Sequence, residues 1–72
     1  MATLKQLRLS ARLTLARLGK LADVDGKTVK RAEDGIPINE VKAVAIVEAL
    51  GKVLNRELTI GEVEGLKILG TQ

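Results

Sequence analysis

Apolar positions in the first third of the chain recur at helical spacing. Leu4, Leu7 and Ala11 fall at i, i+3 and i+7, one face of a helix, and Thr3 stands before them as an N-cap. This predicts helix one over 3–12. Thr14 offers a second N-cap, with Leu15, Leu18, Leu21 and Ala22 on the inner side of helix two. "ADVDG" breaks the pattern at 23–26. Asp25 is placed to accept the first N–H groups of a third helix and to favour its positive end. That helix turns Val29 and Ala32 inward and closes at Gly35, a natural C′ residue.

"GIPIN" reads as a loop, because Pro37 lacks an N–H and holds Ile36 in extended geometry. Asn39 caps a fourth helix, "EVKAVAIVEAL", with Val41, Val44, Ile46, Val47 and Leu50 as its apolar surface and Gly51 as its end. The β-branched run "VAIV" also suits a strand, but the segment's length, cap and terminal glycine favour a helix. In the tail, 55–72, Thr59 and Glu62 have capping-box spacing and predict a short helix over 60–64, with "LKIL" extended. The competing reading is a hairpin, since Leu58/Ile60 and Leu66/Ile68 alternate on either side of Gly61 and Gly65. No repeat or linker interrupts the chain, which reads as one domain over 1–72. An initial Met and an end just past the tail favour a whole chain over a fragment of a longer protein.

Composition narrows the chemistry. The 72 residues are 46% apolar but include no Phe, Tyr or Trp, so Leu, Ile, Val and Ala must form the core. Such a core suits close helix–helix packing and an all-α class. With no Cys and no His, disulfides, zinc sites and thiol or imidazole catalysis are excluded. Neither a metal nor a cofactor is expected. A reducing cytoplasm fits the absence of Cys. Charges every three or four residues in "MATLKQLRLSARL" argue against a signal peptide or membrane span. The carboxylates Glu33/Asp34 and Glu62/Glu64 have no nucleophile, imidazole or phosphate loop beside them, so an enzyme is not expected.

The net charge is only +3, but it is unevenly spread. Residues 1–35 hold eight cations against four anions, and residues 36–72 hold four against five. Residues 14–34 then read as helix, tight break, helix. Small Gly19 and Ala22 allow close approach, and Val24 pins the turn to the core. The positions left facing outward are Gly26, Lys27, Thr28, Lys30, Arg31 and Asp34. Surface cations are usually only a solvated face, but in this setting they point to a polyanion.

"LKQLRLSARLTLARLGKLADVDGKTVKRAEDG" resembles the lambda-repressor/Cro-type helix-turn-helix domain, the XRE family. The likeness runs ungapped from Leu4 to Gly35 and continues loosely through "AIVEALG". It rests on Leu7-Arg8, Leu13-Thr14, Leu18, Leu21, Ala22, Val24 and Thr28, and on "VKRAEDG". The resemblance implies a compact four- to five-helix bundle of the lambda-repressor-like type. It also implies a homodimeric, sequence-specific transcriptional regulator, usually a repressor, that inserts helix 26–34 into the major groove of double-stranded DNA. Carried over by position, Gly26, Lys27 and Thr28 would read base edges. Lys30 and Arg31 would face the groove or phosphates. Thr14 and Leu15 match a phosphate-contacting pair, and Arg17 on the same helix lies within reach of a phosphate. Arg8 and Glu33 correspond to a structural ion pair.

Leu15 stands where the family often has Gln, Gly26 where a longer polar side chain is usual, and Asp25 where Ser is common. These departures support an alternative, a helix-turn-helix-fold protein-interaction module such as an antitoxin or adaptor subunit. It would grip a protein partner through Leu9, Leu15 and the apolar tail. Leu9 lies off the apolar face of helix one, and core is the expected place for it. Leu66, Ile68 and Leu69 either cover their own domain or form a dimer seam.

Overall fold

A computed structural model describes residues 2–70. A short strand β1 (Ala2–Thr3) leads into helices α1 (Leu4–Ser10), α2 (Leu15–Ala22), α3 (Gly26–Glu33) and α4 (Glu40–Leu54). A 3₁₀ turn (Ile60–Glu62) and a second strand, β2 (Val63–Glu64), follow. The fold is mostly helical, as the patterning predicts, with a small parallel sheet that the all-α expectation lacked. Ala2 pairs with Val63 and Thr3 with Glu64. α2 packs most extensively, against both α3 and α4. No described helix is long and apolar enough to cross a membrane.

Leu4, Leu18, Val29, Ile46, Val47 and Leu50 are the largest fully buried side chains, and they bring all four helices to one core. Three of the helix starts follow from local sequence. Thr3 Oγ1 accepts the Gln6 N–H while Gln6 Oε1 accepts the Thr3 N–H, a complete capping box. Thr14 Oγ1 accepts from the Arg17 N–H and Asn39 Oδ1 from the Val41 N–H.

The helix ends share one device. Arg12, Asp23, Gly35 and Asn55 all adopt positive φ, at 59°, 60°, 80° and 56°. In each case the next residue donates its N–H to the carbonyl five positions back, pairing Leu13 with Arg8, Val24 with Gly19, Ile36 with Arg31 and Arg56 with Gly51. This is the Schellman closure, which satisfies carbonyls the helix itself leaves open. Only Gly35 was legible as such an end, because the other three are non-glycine residues held left-handed.

Several expectations are corrected. α4 does not stop at Gly51 but continues to Leu54, and Gly51 is buried within it. The reason is steric: the chain crosses back over Gly51 after Asn55, and a Cβ there would stand 2.7 Å from the Arg56 carbonyl oxygen. The inward stripe of α4 is Ala43, Ile46, Val47 and Leu50, so Val41 is exposed and Val44 only half-buried. Leu21 is exposed too, since Leu18 and Ala22 already occupy the inward face of α2, and Leu15 is half-buried. Leu9 lies in solvent rather than in the core, because Leu4, Leu7 and Arg8 fill the inner side of α1.

The tail forms no hairpin, and of the short helix expected over 60–64 only the first turn is present, as a 3₁₀ helix over Ile60–Glu62. Thr59 Oγ1 donates to Glu62 Oε1 and makes no bond to backbone, so the capping box does not close and only a 3₁₀ turn forms. Val63–Glu64 then pairs with the N-terminal strand instead of with its own neighbour. Further on, Ile38 N–H donates to the Lys67 carbonyl and Leu69 N–H to the Ile38 carbonyl. Leu66 and Ile68 thereby pack against their own core, while Leu69 stays exposed.

Candidate nucleic-acid interface

α2 and α3 are joined by three residues, Asp23 to Asp25. The crossing is set by Gly19, where a Cβ would lie 2.6 Å from the Val24 carbonyl oxygen and 3.0 Å from the Gly26 nitrogen. Real Cβ atoms do not approach that closely, so a bulkier residue at 19 would force the helices apart. Val24 is half-buried against the core, as the turn requires. The Asp25 carbonyl accepts the Thr28 and Val29 N–H groups. Its carboxylate, however, makes no capping bond, contrary to the expected N-cap, so α3 starts on backbone bonds alone.

Val29 and Ala32 seat α3 on the core, and Glu33 fixes its far end. Arg8 Nε donates to Glu33 Oε2 and Nη2 to Oε1, while Nη1 donates to the Leu13 carbonyl at 2.9 Å. The side chains of Arg8 and Glu33 are only 10% and 4% exposed. One guanidinium thus ties α1 to α3 and to the loop that opens α2. Both residues are spent on structure, and neither faces outward.

With one face of α3 held in this way, Lys27, Lys30, Arg31 and Asp34 form an exposed stripe at i, i+3, i+4 and i+7. Gly26 and Thr28 are half-buried at its start. A Cβ at Gly26 would lie 3.5 Å from Ala16, an ordinary contact, so the beginnings of α2 and α3 are neighbours. That juxtaposition brings Thr14 and exposed Arg17 to the same end as Gly26, Lys27 and Thr28. Thr14 Oγ1 is an acceptor within its own cap, which leaves its hydroxyl hydrogen for an outside acceptor.

Two features of this surface were not read from the sequence. Lys30 Nζ bridges Asp34, at 3.0 and 3.1 Å to the two carboxylate oxygens. The i,i+4 spacing permits this pair, but the outward cations drew attention and the anion beside them did not. The second feature is Lys42 on α4. It joins Lys20, Asp23 and Asp25 around a shallow cleft where the α2–α3 turn meets α4. Nothing in the local sequence connects position 42 with this turn, since the contact is tertiary. No group of three His, Cys, Asp or Glu side chains able to hold a metal occurs among the described residues.

Searches against protein-family models, curated proteins and solved structures find no match to this chain.

Proposed function

We propose that the chain is a sequence-specific DNA-binding regulator of the lambda-repressor/Cro type, which presents α3 to the major groove. The observation that carries this reading is the division of α3 into two faces. Val29, Ala32 and Glu33 are committed to the core and to Arg8, whereas Lys27, Lys30 and Arg31 are exposed on one stripe. An α-helix fits the width of the major groove, and long cationic side chains at its edge reach either phosphates or guanine acceptors. Base readout falls to Lys27 and Thr28. Arg17 and Thr14, beside the start of α3, are placed for phosphate contacts.

Phosphate contacts dominate such affinity, so binding weakens steeply as salt displaces the cations. The test is a gel shift at two salt concentrations with the wild type, Lys27→Ala and Lys30→Ala/Arg31→Ala. The reading expects weaker binding in both variants and a shallower salt slope in the double variant. Binding that is unchanged in both removes this site from consideration.

A protein-interaction module on the same fold is the second reading. Exposed Leu9 favours it, together with the partial neutralisation of Lys30 by Asp34. Absence of DNA retention at low salt, with one protein co-purifying, would select it.

A further inference from the structure

The exposed stripe of α3 is chemically one-sided. Lys27, Lys30 and Arg31 carry N–H groups and no acceptor, and Asp34 is the stripe's one acceptor. Lys30 Nζ lies 3.0 and 3.1 Å from the two Asp34 oxygens, so these two side chains are engaged with each other. The other ion pair among the described residues is Arg8–Glu33. Lys27 and Arg31 are therefore the cations of the stripe that have no ionic partner there, one helical turn apart on the open face.

Side-chain amides are missing from the same unit. Residues 14–35 contain neither Asn nor Gln. Elsewhere, Gln6 Oε1 accepts the Thr3 N–H, Asn39 Oδ1 accepts the Val41 N–H, and Asn55 lies at the far end of α4. The carboxylate of Glu33, beside Asp34, is held by Arg8 and only 4% exposed.

Bases differ in the major groove by just this chemistry. Guanine offers two adjacent acceptors, O6 and N7, which suit a side chain that only donates. Adenine offers N7 as an acceptor beside the N6–H donor, and its bidentate partner is an amide that both donates and accepts. A helix with two free donor-only side chains and no amide matches guanine and lacks the match for adenine. Thr28 does not alter this, since a hydroxyl serves either base and the residue is half-buried.

We infer that the chain selects a guanine-directed DNA site, in which Lys27 and Arg31 each donate to O6 and N7 of a guanine. This specificity rests on the DNA-binding reading and adds to it the base that is read and Arg31 as a second reader. Four residues of helix advance roughly 6 Å, so the two guanines stand about two base-pair steps of roughly 3.4 Å apart. Lys30, drawn to Asp34, contributes charge rather than base identity.

Selection of bound duplexes from random-sequence DNA at low salt tests this with the wild type, Lys27→Gln and Arg31→Gln. Both positions are exposed, and glutamine forms helix about as well as lysine or arginine, so both variants keep the wild-type circular dichroism. The wild type retains sites with two guanines at that spacing. Exchanging either G·C pair for A·T weakens binding about fivefold or more, the usual worth of a bidentate contact. 7-Deazaguanine pairs normally but lacks the N7 acceptor, and at each position it weakens binding about threefold or more. Lys27→Gln moves the preference at one position from guanine to adenine, and Arg31→Gln moves it at the other. Retained sites without guanine at these positions overturn the inference. So does a guanine preference indifferent to 7-deazaguanine. A consensus that both variants leave unchanged, while affinity falls evenly across sequences, also overturns it, because phosphate contacts behave in that way. Duplex binding without guanine preference defeats the inference alone and leaves the DNA-binding reading standing, whereas no retention of any duplex at low salt defeats both.

Discussion

The Arg56 carbonyl oxygen lies over Gly51, 2.7 Å from where a Cβ would stand, just as the Val24 carbonyl lies 2.6 Å from that position on Gly19. In both places the glycine is the residue whose own carbonyl closes the helix end. The chain can then fold back across the last turn without a side chain in its path. Alanine inside a helix is ordinarily better than glycine by about 0.5–1 kcal/mol. Here the sign reverses: Gly19→Ala and Gly51→Ala are each expected to destabilise by about 1–3 kcal/mol, the usual cost of overpacking. Urea unfolding reads this directly. Variants as stable as the wild type would mean that the crossing chain yields without cost.

Arg12 predicts the opposite outcome. Its φ of 59° is a conformation that costs a β-carbon-bearing residue roughly 1 kcal/mol or more. Its side chain is exposed and makes no hydrogen bond among the described residues. Arg12→Gly should therefore raise the denaturation midpoint, by about 0.5–1 kcal/mol of stability after glycine's greater unfolded-state entropy is counted. Asn55→Gly should gain less, because asparagine tolerates the left-handed region. A drop in stability for Arg12→Gly would contradict this account of the α1 end.

The Arg8–Glu33 pair is nearly buried, so its partners are expected to be strongly non-additive. Glu33→Ala leaves a guanidinium with only the Leu13 carbonyl and should cost about 3 kcal/mol or more. Arg8→Met/Glu33→Met removes both charges together and should cost less than the two single changes summed. A double-mutant cycle by chemical denaturation measures the coupling. Additive effects would show that the pair does not act as a unit.

For the exposed Lys30–Asp34 pair, stability and binding should separate. A solvent-exposed i,i+4 pair contributes at most about 0.5 kcal/mol, so Asp34→Asn should leave the unfolding midpoint almost unchanged. If α3 meets DNA as proposed, the same change removes an anion from the stripe and releases Lys30. Tighter binding and a steeper salt dependence are the expected gel-shift result. Unaltered binding would place residues 30 and 34 away from the nucleic acid.

The features legible in the sequence are those settled within a few residues. Thr3, Thr14 and Asn39 are caps because their oxygens reach N–H groups two or three positions on, whereas the reciprocal bond from Gln6 was not read. Gly35 marked its helix end because glycine suits positive φ. Val29 and Ala32 followed from helical spacing, and the Arg8–Glu33 pair from resemblance. What escaped depends on distant neighbours. Gly51 is an interior residue only because Arg56 returns over it. Leu9 and Leu21 are apolar but lie outside inner faces that other residues already fill. Asp25 has the right type for a cap, yet its side chain takes another course. On the proposed interface, Lys27, Lys30, Arg31 and Asp34 were readable as outward from period alone, whereas Gly26 and Thr28, expected beside them, are half-buried, and the approach of Lys42 to the α2–α3 turn was not readable.

The pairing of Ala2 with Val63 also implies an order of events in folding. Each turn of α1 to α4 is made by residues close in sequence, whereas β1 and β2 must find each other across about 60 residues of chain, and closing so long a loop has an entropic cost before any contact rewards it. The four helices are expected to condense first and the two strands to zip last. Amide exchange should show this as lower protection in the strand pair than in α2 and α4, with Ile38 and its bonds to the tail opening alongside the strands. The sheet is then a latch on an assembled core, able to open locally while the helices hold.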